Sequence, residues 1–128
     1  MADLNTLEPW LVPYADYLFR LGRWYNQVYD WDRGGGPLIV TSSRRTPQDQ
    51  YILYQRYLRG ESKIPAAPPG RSAHEVGLAF DMARLGIDPF TDPLLNFLGE
   101  IWVEMGGIYG GQWGGGADPV HYQAPLAR

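Results

Sequence analysis

Apolar residues recur every three or four positions near the start of the chain, which is the spacing of an amphipathic helix. Residues 11–29 carry this pattern, with charged side chains between the apolar positions Leu11, Tyr14, Leu18, Leu21, Tyr25 and Val28. The segment DWDRGGGP follows and breaks the pattern, because consecutive glycines and a proline are unfavourable inside a helix. The sequence therefore predicts an N-terminal helix over residues 11–29.

Two later segments place a helix start signal in front of a similar pattern. Thr46 can cap a helix whose first residue is Pro47, and this helix is predicted to end near residue 58, with apolar contacts from Tyr51, Leu53, Tyr54 and Leu58. Asp92 or Thr91 can cap a further helix over residues 93–105. Its predicted apolar stripe consists of Leu94, Leu95, Leu98, Ile101, Trp102 and Met105.

Two other segments have the pattern of β-strands. PLIVTSS is a short β-branched run and predicts a buried strand. In residues 77–85, Leu78, Phe80 and Met82 alternate with a second set that contains Asp81, so the two sets should face opposite sides of a sheet. Residues 60–70 are rich in proline and predict a loop. The whole pattern predicts a small α+β domain in which helices flank a short antiparallel sheet.

Length and composition are consistent with a single domain over residues 1–128. The chain is 45% apolar, which is enough for a packed core, and its net charge of −3 argues against a nucleic-acid partner. It has no cysteine, so any metal must be bound by imidazole and carboxylate groups. Neither a signal peptide nor a run of about 20 apolar residues is evident, so we expect synthesis in the cytoplasm and no membrane contact.

The two histidines of the chain each lie near an aspartate, in the segments GRSAHEVGLAFDM and ADPVHYQ. Asp81 interrupts an apolar strand, where a carboxylate is costly unless it is paired or binds a cation. His74 and Asp81 are seven residues apart, so on an unbroken strand they would face opposite sides, but Gly77 can supply a bend. Two imidazoles and a buried carboxylate suit Zn²⁺ with a fourth position for water. From the spacing alone, structural or surface roles for both histidines remain the alternative.

The two histidine segments together resemble a known enzyme family. S-x-H-x-x-G-x-A-x-D followed by D-x-x-H is similar to the motifs of the zinc peptidases of the M15 group, which include D-alanyl-D-alanine carboxypeptidases and L-alanyl-D-glutamate endopeptidases. Its positions are filled by Ser72, His74, Gly77, Ala79, Asp81, Asp118 and His121. VTSSRRTPQDQ resembles the strand-turn-helix segment of the family, and YGGQW also matches, so the resemblance spans about residues 38–122.

The resemblance implies a Hedgehog/DD-peptidase-like fold with a catalytic core over about residues 38–123. It implies that His74, Asp81 and His121 bind Zn²⁺ and that Asp118 is the general base. Ser72 would form a hydrogen bond to the substrate or to the ligand loop.

The resemblance also implies that Arg45 stabilises the carbonyl oxygen of the substrate as negative charge develops on it. The chain departs from the family here, because Ser43 and Arg44 stand where Gly-Tyr is usual. Arg44 is therefore an alternative to Arg45 for this role.

The function implied is zinc-dependent hydrolysis of a bond in the peptidoglycan stem peptide by a monomeric enzyme. An aspartate at the base position favours an L-Ala–D-Glu endopeptidase of the phage-lysin type over a D-Ala-D-Ala carboxypeptidase. Such an enzyme would reach the cell wall through a holin or as part of a virion. The rival class is a non-catalytic binding module or structural virion subunit on the same fold, against which the retention of Asp118 and all three ligands argues.

Overall fold

The computed structural model describes residues 2–29 and 35–125, and over these ranges the chain forms three α-helices, four β-strands and four short 3-10 helices. The helices are α1 (Val12–Val28), α2 (Pro47–Leu58) and α3 (Pro93–Glu104), and the strands are β1 (Leu38–Ser42), β2 (Ala79–Arg84), β3 (Ile108–Tyr109) and β4 (His121–Gln123). The 3-10 helices are Leu4–Thr6, Ala73–Val76, Pro89–Thr91 and Gly110–Gln112. This architecture confirms the predicted α+β class. The predicted break at DWDRGGGP lies largely in residues 30–34, outside the described residues.

The four strands form one antiparallel sheet in the order β1-β2-β4-β3. The central strand β2 pairs with β4 in a register that sets Asp81 opposite His121. On its other side β2 pairs with β1, and an irregularity between Val40 and Ser42 places Ser42 opposite Asp81. The sheet register therefore brings two of the predicted metal ligands next to each other.

The predicted helix starts are confirmed by their capping bonds. The side chain of Thr46 accepts a hydrogen bond from the backbone N–H of Asp49, and Pro47 is the first residue of α2. The side chain of Asp92 accepts one from Leu94 at the start of α3. Each cap satisfies an N–H group that has no partner within its own helix.

The core lies between one face of the sheet and the helices α1 and α3. Phe80 and Met82 of β2 are fully buried there, as alternation along the strand predicts. They pack in one cluster with residues from both helices and from β4, including Leu11, Ala15, Leu18, Leu94, Leu95, Leu98, Trp102 and Tyr122. Asp81 lies between Phe80 and Met82 in sequence, so its side chain projects from the other face of the sheet.

Three expectations about burial were wrong. Tyr51 and Leu58 of α2 are 55% and 58% exposed, and the residue that α2 buries is Gln50. The cause is that α2 packs against polar groups beside the opposite face of the sheet, rather than against the core. The strand β1 is buried only at Leu38 because it is an edge strand. Met105 is exposed because α3 ends at the residue before it.

A buried ion pair joins three elements on the core side. Arg84, the last residue of β2, donates from Nε and Nη2 to the carboxylate of Asp92 at 2.9 and 2.7 Å. Its Nη1 donates to Asn26 of α1 at 3.0 Å. Because Asp92 also caps α3, this pair connects β2 to the N-terminus of α3 and to α1.

Within the described ranges, no helix is long and apolar enough to cross a bilayer.

Candidate active site

The first histidine lies on a 3-10 helix, Ala73–Val76, which we call the His74 turn. Ser72 caps this turn by accepting a hydrogen bond from the N–H of His74, and Glu75 accepts one from the N–H of Ser72. Gly77 ends the turn with a φ of 74°, a left-handed conformation that glycine adopts without strain. The bend predicted at Gly77 is therefore present, and it lets His74 and Asp81 face each other.

Three predicted ligand atoms converge. Nε2 of His74 lies 3.0 Å from Oδ1 of Asp81, and Nδ1 of His121 lies 3.4 Å from the same oxygen. All three residues are buried, and their ligand atoms lie within 4.8 Å of one another. A tetrahedral zinc ion with bonds of about 2.0–2.2 Å separates its ligand atoms by about 3.3–3.6 Å. The spacing of the cluster therefore fits a zinc ion.

The outer nitrogen of each imidazole is held by an oxygen atom. Nδ1 of His74 donates to the backbone carbonyl of Ser43 at 2.8 Å, and Nε2 of His121 donates to Oε1 of Gln123 at 2.6 Å. Because these oxygens only accept, each imidazole in its neutral form carries its proton on the outer nitrogen, which leaves the inner nitrogen a lone pair for a metal ion. Both inner nitrogens face Asp81, which is the arrangement that a metal site requires.

The charges at the cluster call for a cation. Burial alone would raise the pKa of the Asp81 carboxyl, but the adjacent imidazoles of His74 and His121 hold it well below its ordinary range. Burial would lower the pKa of His121, yet the hydrogen bond and negative charge of Asp81 raise it. A carboxylate facing two imidazole lone pairs needs a proton or a metal ion between them, and one divalent ion can satisfy all three groups.

Asp118 lies beside the cluster without joining it. Its Oδ2 is 3.9 Å from Nδ1 of His121, and its buried Oδ1 has no hydrogen-bond partner in residues 2–29 and 35–125. Burial and the nearby charge of Asp81 raise the pKa of Asp118 to about 7. The backbone approaches closely here, since a Cβ added to Gly110 would lie 2.5 Å from the carbonyl oxygen of Asp118. The glycine-rich stretch before the second motif therefore allows Asp118 to pack beside the ligands.

Arg45 belongs to the same site. Its Nη2 lies 2.9 Å from Oδ2 of Asp81, its Nε donates to Ser42, and its Nη1 donates to Gln50. Gln50 is itself fixed by a bond from Nε2 to the carbonyl oxygen of Ala67 at 2.8 Å. Three of the five N–H groups of the guanidinium are therefore used, and two have no hydrogen-bond partner in the described part of the chain.

Arg44 points elsewhere. Its guanidinium donates to the carbonyl oxygen of Thr6 and pairs with Glu8, at 2.8 and 2.9 Å. Of the two arginines considered from the sequence, only Arg45 contacts a predicted ligand.

The cluster forms the floor of a cleft of about 480 Å³. Arg45, Ser72 and Asp118 line it together with the three predicted ligands. Its remaining walls come from α2, from the proline-rich loop and from the glycine-rich stretch, and include Leu53, Ile64, Pro65, Arg71 and Trp113. The ring of Trp113 is 5.1 Å from that of His121 and is 40% exposed. A cleft of this volume falls within the usual range of ligand-binding sites, and the cluster is open to it.

The sequence reasoning missed two supporting residues, Gln50 and Gln123. Gln123 directly follows the second histidine motif, and its position on β4 at an interval of two from His121 places both side chains on one face of the strand. That parity was a usable signal. No comparable signal in the sequence pointed to Gln50, because its role depends on where α2 packs.

No family model matches the sequence, and no curated protein does. Solved structures do match. A point mutant of the vancomycin resistance D,D-pentapeptidase VanY from a VanB-type cassette, in complex with Zn(II), is 25% identical, with a TM-score of 0.64 over 93% of this chain and 72% of that one. VanYB in complex with D-alanine-D-alanine is 26% identical, with a TM-score of 0.62 over 92% of this chain and 71% of that one.

A further match is the L-Ala D-Glu endopeptidase ChiX of Serratia marcescens, which is 21% identical, with a TM-score of 0.56 over 94% of this chain and 82% of that one. At this identity the match speaks for the fold alone. Together with the two VanY matches at 25% and 26% identity, this shared fold confirms the resemblance to the M15 zinc peptidases that the two histidine motifs predict.

Proposed function

We propose that the protein is a zinc-dependent peptidase that hydrolyses a bond in the stem peptide of bacterial peptidoglycan. The observation that carries this proposal is the meeting of Nε2 of His74, Nδ1 of His121 and Oδ1 of Asp81 at the floor of an open cleft. The similarity to VanY in complex with Zn(II) and to VanYB in complex with D-alanine-D-alanine supports it.

His74, Asp81 and His121 are the proposed zinc ligands. The fit rests on the spacing of their ligand atoms and on the two lone pairs that face one carboxylate oxygen. When bound there, Zn²⁺ supplies Lewis-acid activation of water and of the scissile carbonyl. The three residues come from a turn and two paired strands, so the backbone holds them rigidly.

Asp118 is the proposed general base. Its unpartnered Oδ1 can accept a proton from the attacking water and then donate it to the leaving amine. Without metal the pKa of Asp118 is raised to about 7, and a divalent cation in the cluster would lower it, so the carboxyl would be ionised and able to accept a proton near neutral pH. Asp118 is adjacent to the ligand His121 and yet too far from it for a hydrogen bond, which leaves the carboxylate available to water.

Arg45 is proposed to bind the carbonyl oxygen of the substrate as it gains negative charge. Its two uncommitted N–H groups can donate to that oxygen, while its bond to Asp81 fixes the guanidinium in the cleft. Of the two roles predicted for Ser72, we propose the hydrogen bond to the ligand loop. The hydroxyl oxygen of Ser72 accepts a hydrogen bond from the N–H of His74 and so holds the His74 turn.

Within this class we propose an L-Ala–D-Glu endopeptidase of the lysin type that acts as a monomer on the cell wall. The aspartate at position 118 supports this specificity through its resemblance to such enzymes. The second candidate is a D-Ala-D-Ala carboxypeptidase, which the 26% identity to VanYB in complex with D-alanine-D-alanine favours.

The test is a digest of purified sacculi with zinc-loaded, chelator-treated and zinc-restored protein, read by mass spectrometry. Cleavage that stops with chelator and returns with zinc is expected. New D-Glu amino termini would identify the endopeptidase, and free D-alanine would identify the carboxypeptidase. Zinc binding without any cleavage would instead support the non-catalytic rival.

A further inference from the structure

The N-terminal residues Asp3–Glu8, which we call the N-terminal clasp, lie against the turn that follows β1. The buried Oγ of Ser43 accepts a hydrogen bond from the backbone N–H of Asp3 and shares a second one with the hydroxyl oxygen of Thr6, both at 3.0 Å. Oγ1 of Thr6 in turn accepts the backbone N–H of Arg44 at 3.2 Å. The clasp therefore fixes the Ser43-Arg44 dipeptide through both side-chain and backbone groups.

The clasp also holds the far end of the His74 turn. The N–H of Glu8 donates to the carbonyl oxygen of Gly77 at 3.0 Å. Arg44, which bonds to Thr6 and Glu8, packs so closely on Gly77 that a Cβ there would collide with its guanidinium. The glycine at this position thus serves both the left-handed bend and the approach of Arg44.

The clasp thus holds the Ser43-Arg44 dipeptide and Gly77, and these two places lie on either side of His74. The carbonyl oxygen of Ser43 accepts the Nδ1 proton of His74 at 2.8 Å, and Gly77 ends the turn that carries His74. The carbonyl oxygen of His74 itself accepts the N–H of Arg45 at 3.0 Å. The position and tilt of the imidazole therefore depend on groups that the clasp holds.

We propose that the N-terminal clasp is a working part of the metal centre: through Ser43, Arg44 and Gly77 it positions His74 and so sets the affinity for zinc. This inference rests on the proposed zinc function of His74. It also accounts for Ser43 and Arg44 at the positions where the family that the chain resembles usually has Gly-Tyr. A glycine at position 43 would have no hydroxyl to bond to Asp3 and Thr6, and a tyrosine at position 44 could not replace the guanidinium.

Partners that hold the outer nitrogen of a ligand histidine typically change metal affinity 10- to 100-fold when lost. The clasp acts one hydrogen bond further from the imidazole, because it holds Ser43, whose carbonyl oxygen in turn holds Nδ1 of His74. We therefore expect its loss to weaken zinc binding about three- to tenfold.

The chain offers a closely matched pair of variants, Thr6→Val and Thr91→Val. Each threonine is exposed and is the last residue of a three-residue 3-10 helix, and each hydroxyl donates to the carbonyl three residues earlier. Only Thr6 also contacts Ser43 and Arg44. Valine preserves the shape of both side chains while removing the hydroxyl, so the difference between the variants isolates the clasp contact.

The zinc dissociation constants of the wild type and both variants are measured by competition with a chromophoric chelator. The free energies of unfolding of the zinc-free proteins are measured alongside. Thr6→Val should bind zinc about three- to tenfold more weakly, and Thr91→Val should match the wild type within twofold, even where their losses of stability are alike. Equal zinc affinities for the two variants would overturn the inference.

Arg44→Lys provides a second test that does not depend on Thr6. Lysine keeps the charge that pairs with Glu8 but has one nitrogen in place of the two that arginine directs at Thr6 and Glu8, so partial weakening is expected, with Arg44→Ala weaker still. Unchanged affinity in both would also overturn the inference. A wild type that binds zinc but cleaves no stem peptide would refute the proposed function and leave this inference intact, whereas a wild type that binds no zinc would refute both.

Discussion

Oδ2 of Asp118 lies 3.9 Å from Nδ1 of His121, whereas Oδ1 of the same carboxylate has no hydrogen-bond partner among the described residues. Asp81, in contrast, uses both oxygens, one toward the two imidazoles and one toward Arg45. The two buried aspartates therefore differ in surroundings: Asp81 directs one oxygen at the two imidazoles and is held by Arg45 through the other, whereas Asp118 has an oxygen with no partner. A metal ligand and a proton acceptor need those two different environments.

The first prediction separates these roles by substitution. Asp118→Asn should keep zinc, because residue 118 contributes no ligand atom to the cluster, but should lower kcat/KM about 10²- to 10⁴-fold, the usual contribution of a general base. His74→Ala should lose zinc as well as activity. Zinc content by atomic emission and turnover of muropeptides check both variants. Near-normal turnover by Asp118→Asn would refute the base assignment.

Much of this site could be predicted because the decisive information is local. The run from Ser72 to Gly77 contains a helix cap and a left-handed glycine, and the odd spacing of His74 and Asp81 already required the bend at Gly77. Thr46 and Asp92 are likewise local start signals. In each case neighbouring residues determine the geometry.

What could not be predicted depends on packing between distant segments. Gln50 was missed, and Tyr51 and Leu58 were expected to make apolar contacts, because an amphipathic pattern does not reveal whether a helix covers the core or a polar cleft. The contact of Ser43 with Asp3 and Thr6 spans about 40 residues and has no periodic signature. Such contacts follow from the folded topology.

The second prediction concerns the partner of the other ligand histidine. Gln123→Leu removes the acceptor 2.6 Å from Nε2 of His121, which should weaken zinc binding about 10- to 100-fold. Gln123→Glu keeps an oxygen acceptor and should retain tight binding, because a carboxylate holds the same imidazole proton. Competition titrations with a chelator compare the three proteins. Equal affinities for the leucine and glutamate variants would contradict the proposed role of this hydrogen bond.

The third prediction concerns the pH dependence of stability without metal. The pKa of Asp118 is raised from an ordinary value of 3.8 to about 7 in the folded state. Between these values the folded protein holds a proton that the unfolded chain has lost, so raising the pH favours unfolding. The free energy of unfolding of the chelator-treated protein should therefore fall from pH 5 to pH 7, by an amount on the order of 1–3 kcal/mol.

Asp118→Asn provides the control for this pH dependence. Asparagine does not titrate, so the variant should lose most of the slope and should be more stable than the wild type at pH 7 in the absence of zinc. Above pH 5 the carboxyl of Asp81 is ionised in both the folded and the unfolded state, so it does not contribute to the slope there, and the raised pKa of His121 adds a further fall only near and above pH 6.5, in both proteins. Urea unfolding at pH 5, 6 and 7 measures the effect, and parallel curves for the two proteins would contradict it.

The last prediction tests the buried ion pair that ties β2 to α3. Arg84 and Asp92 have side chains that are 0% and 1% exposed, so Arg84→Met leaves a buried carboxylate without its counter-charge. The expected loss is about 3–5 kcal/mol in the free energy of unfolding. Adding Asp92→Asn should recover part of this loss, because asparagine removes the charge and still caps α3.

The exposed pair of Arg59 and Glu61 supplies the matched control, since it has the same chemistry and a similar distance of 2.7 Å but lies at the surface. Arg59→Met should leave the unfolding curve unchanged within error, because water screens the charges and solvates Glu61 when its partner is removed. Chemical denaturation of the four proteins gives the comparison. If the two arginine substitutions had equal effects, or if Asp92→Asn further destabilised the Arg84→Met protein, the uncompensated charge of Asp92 would not be the cause.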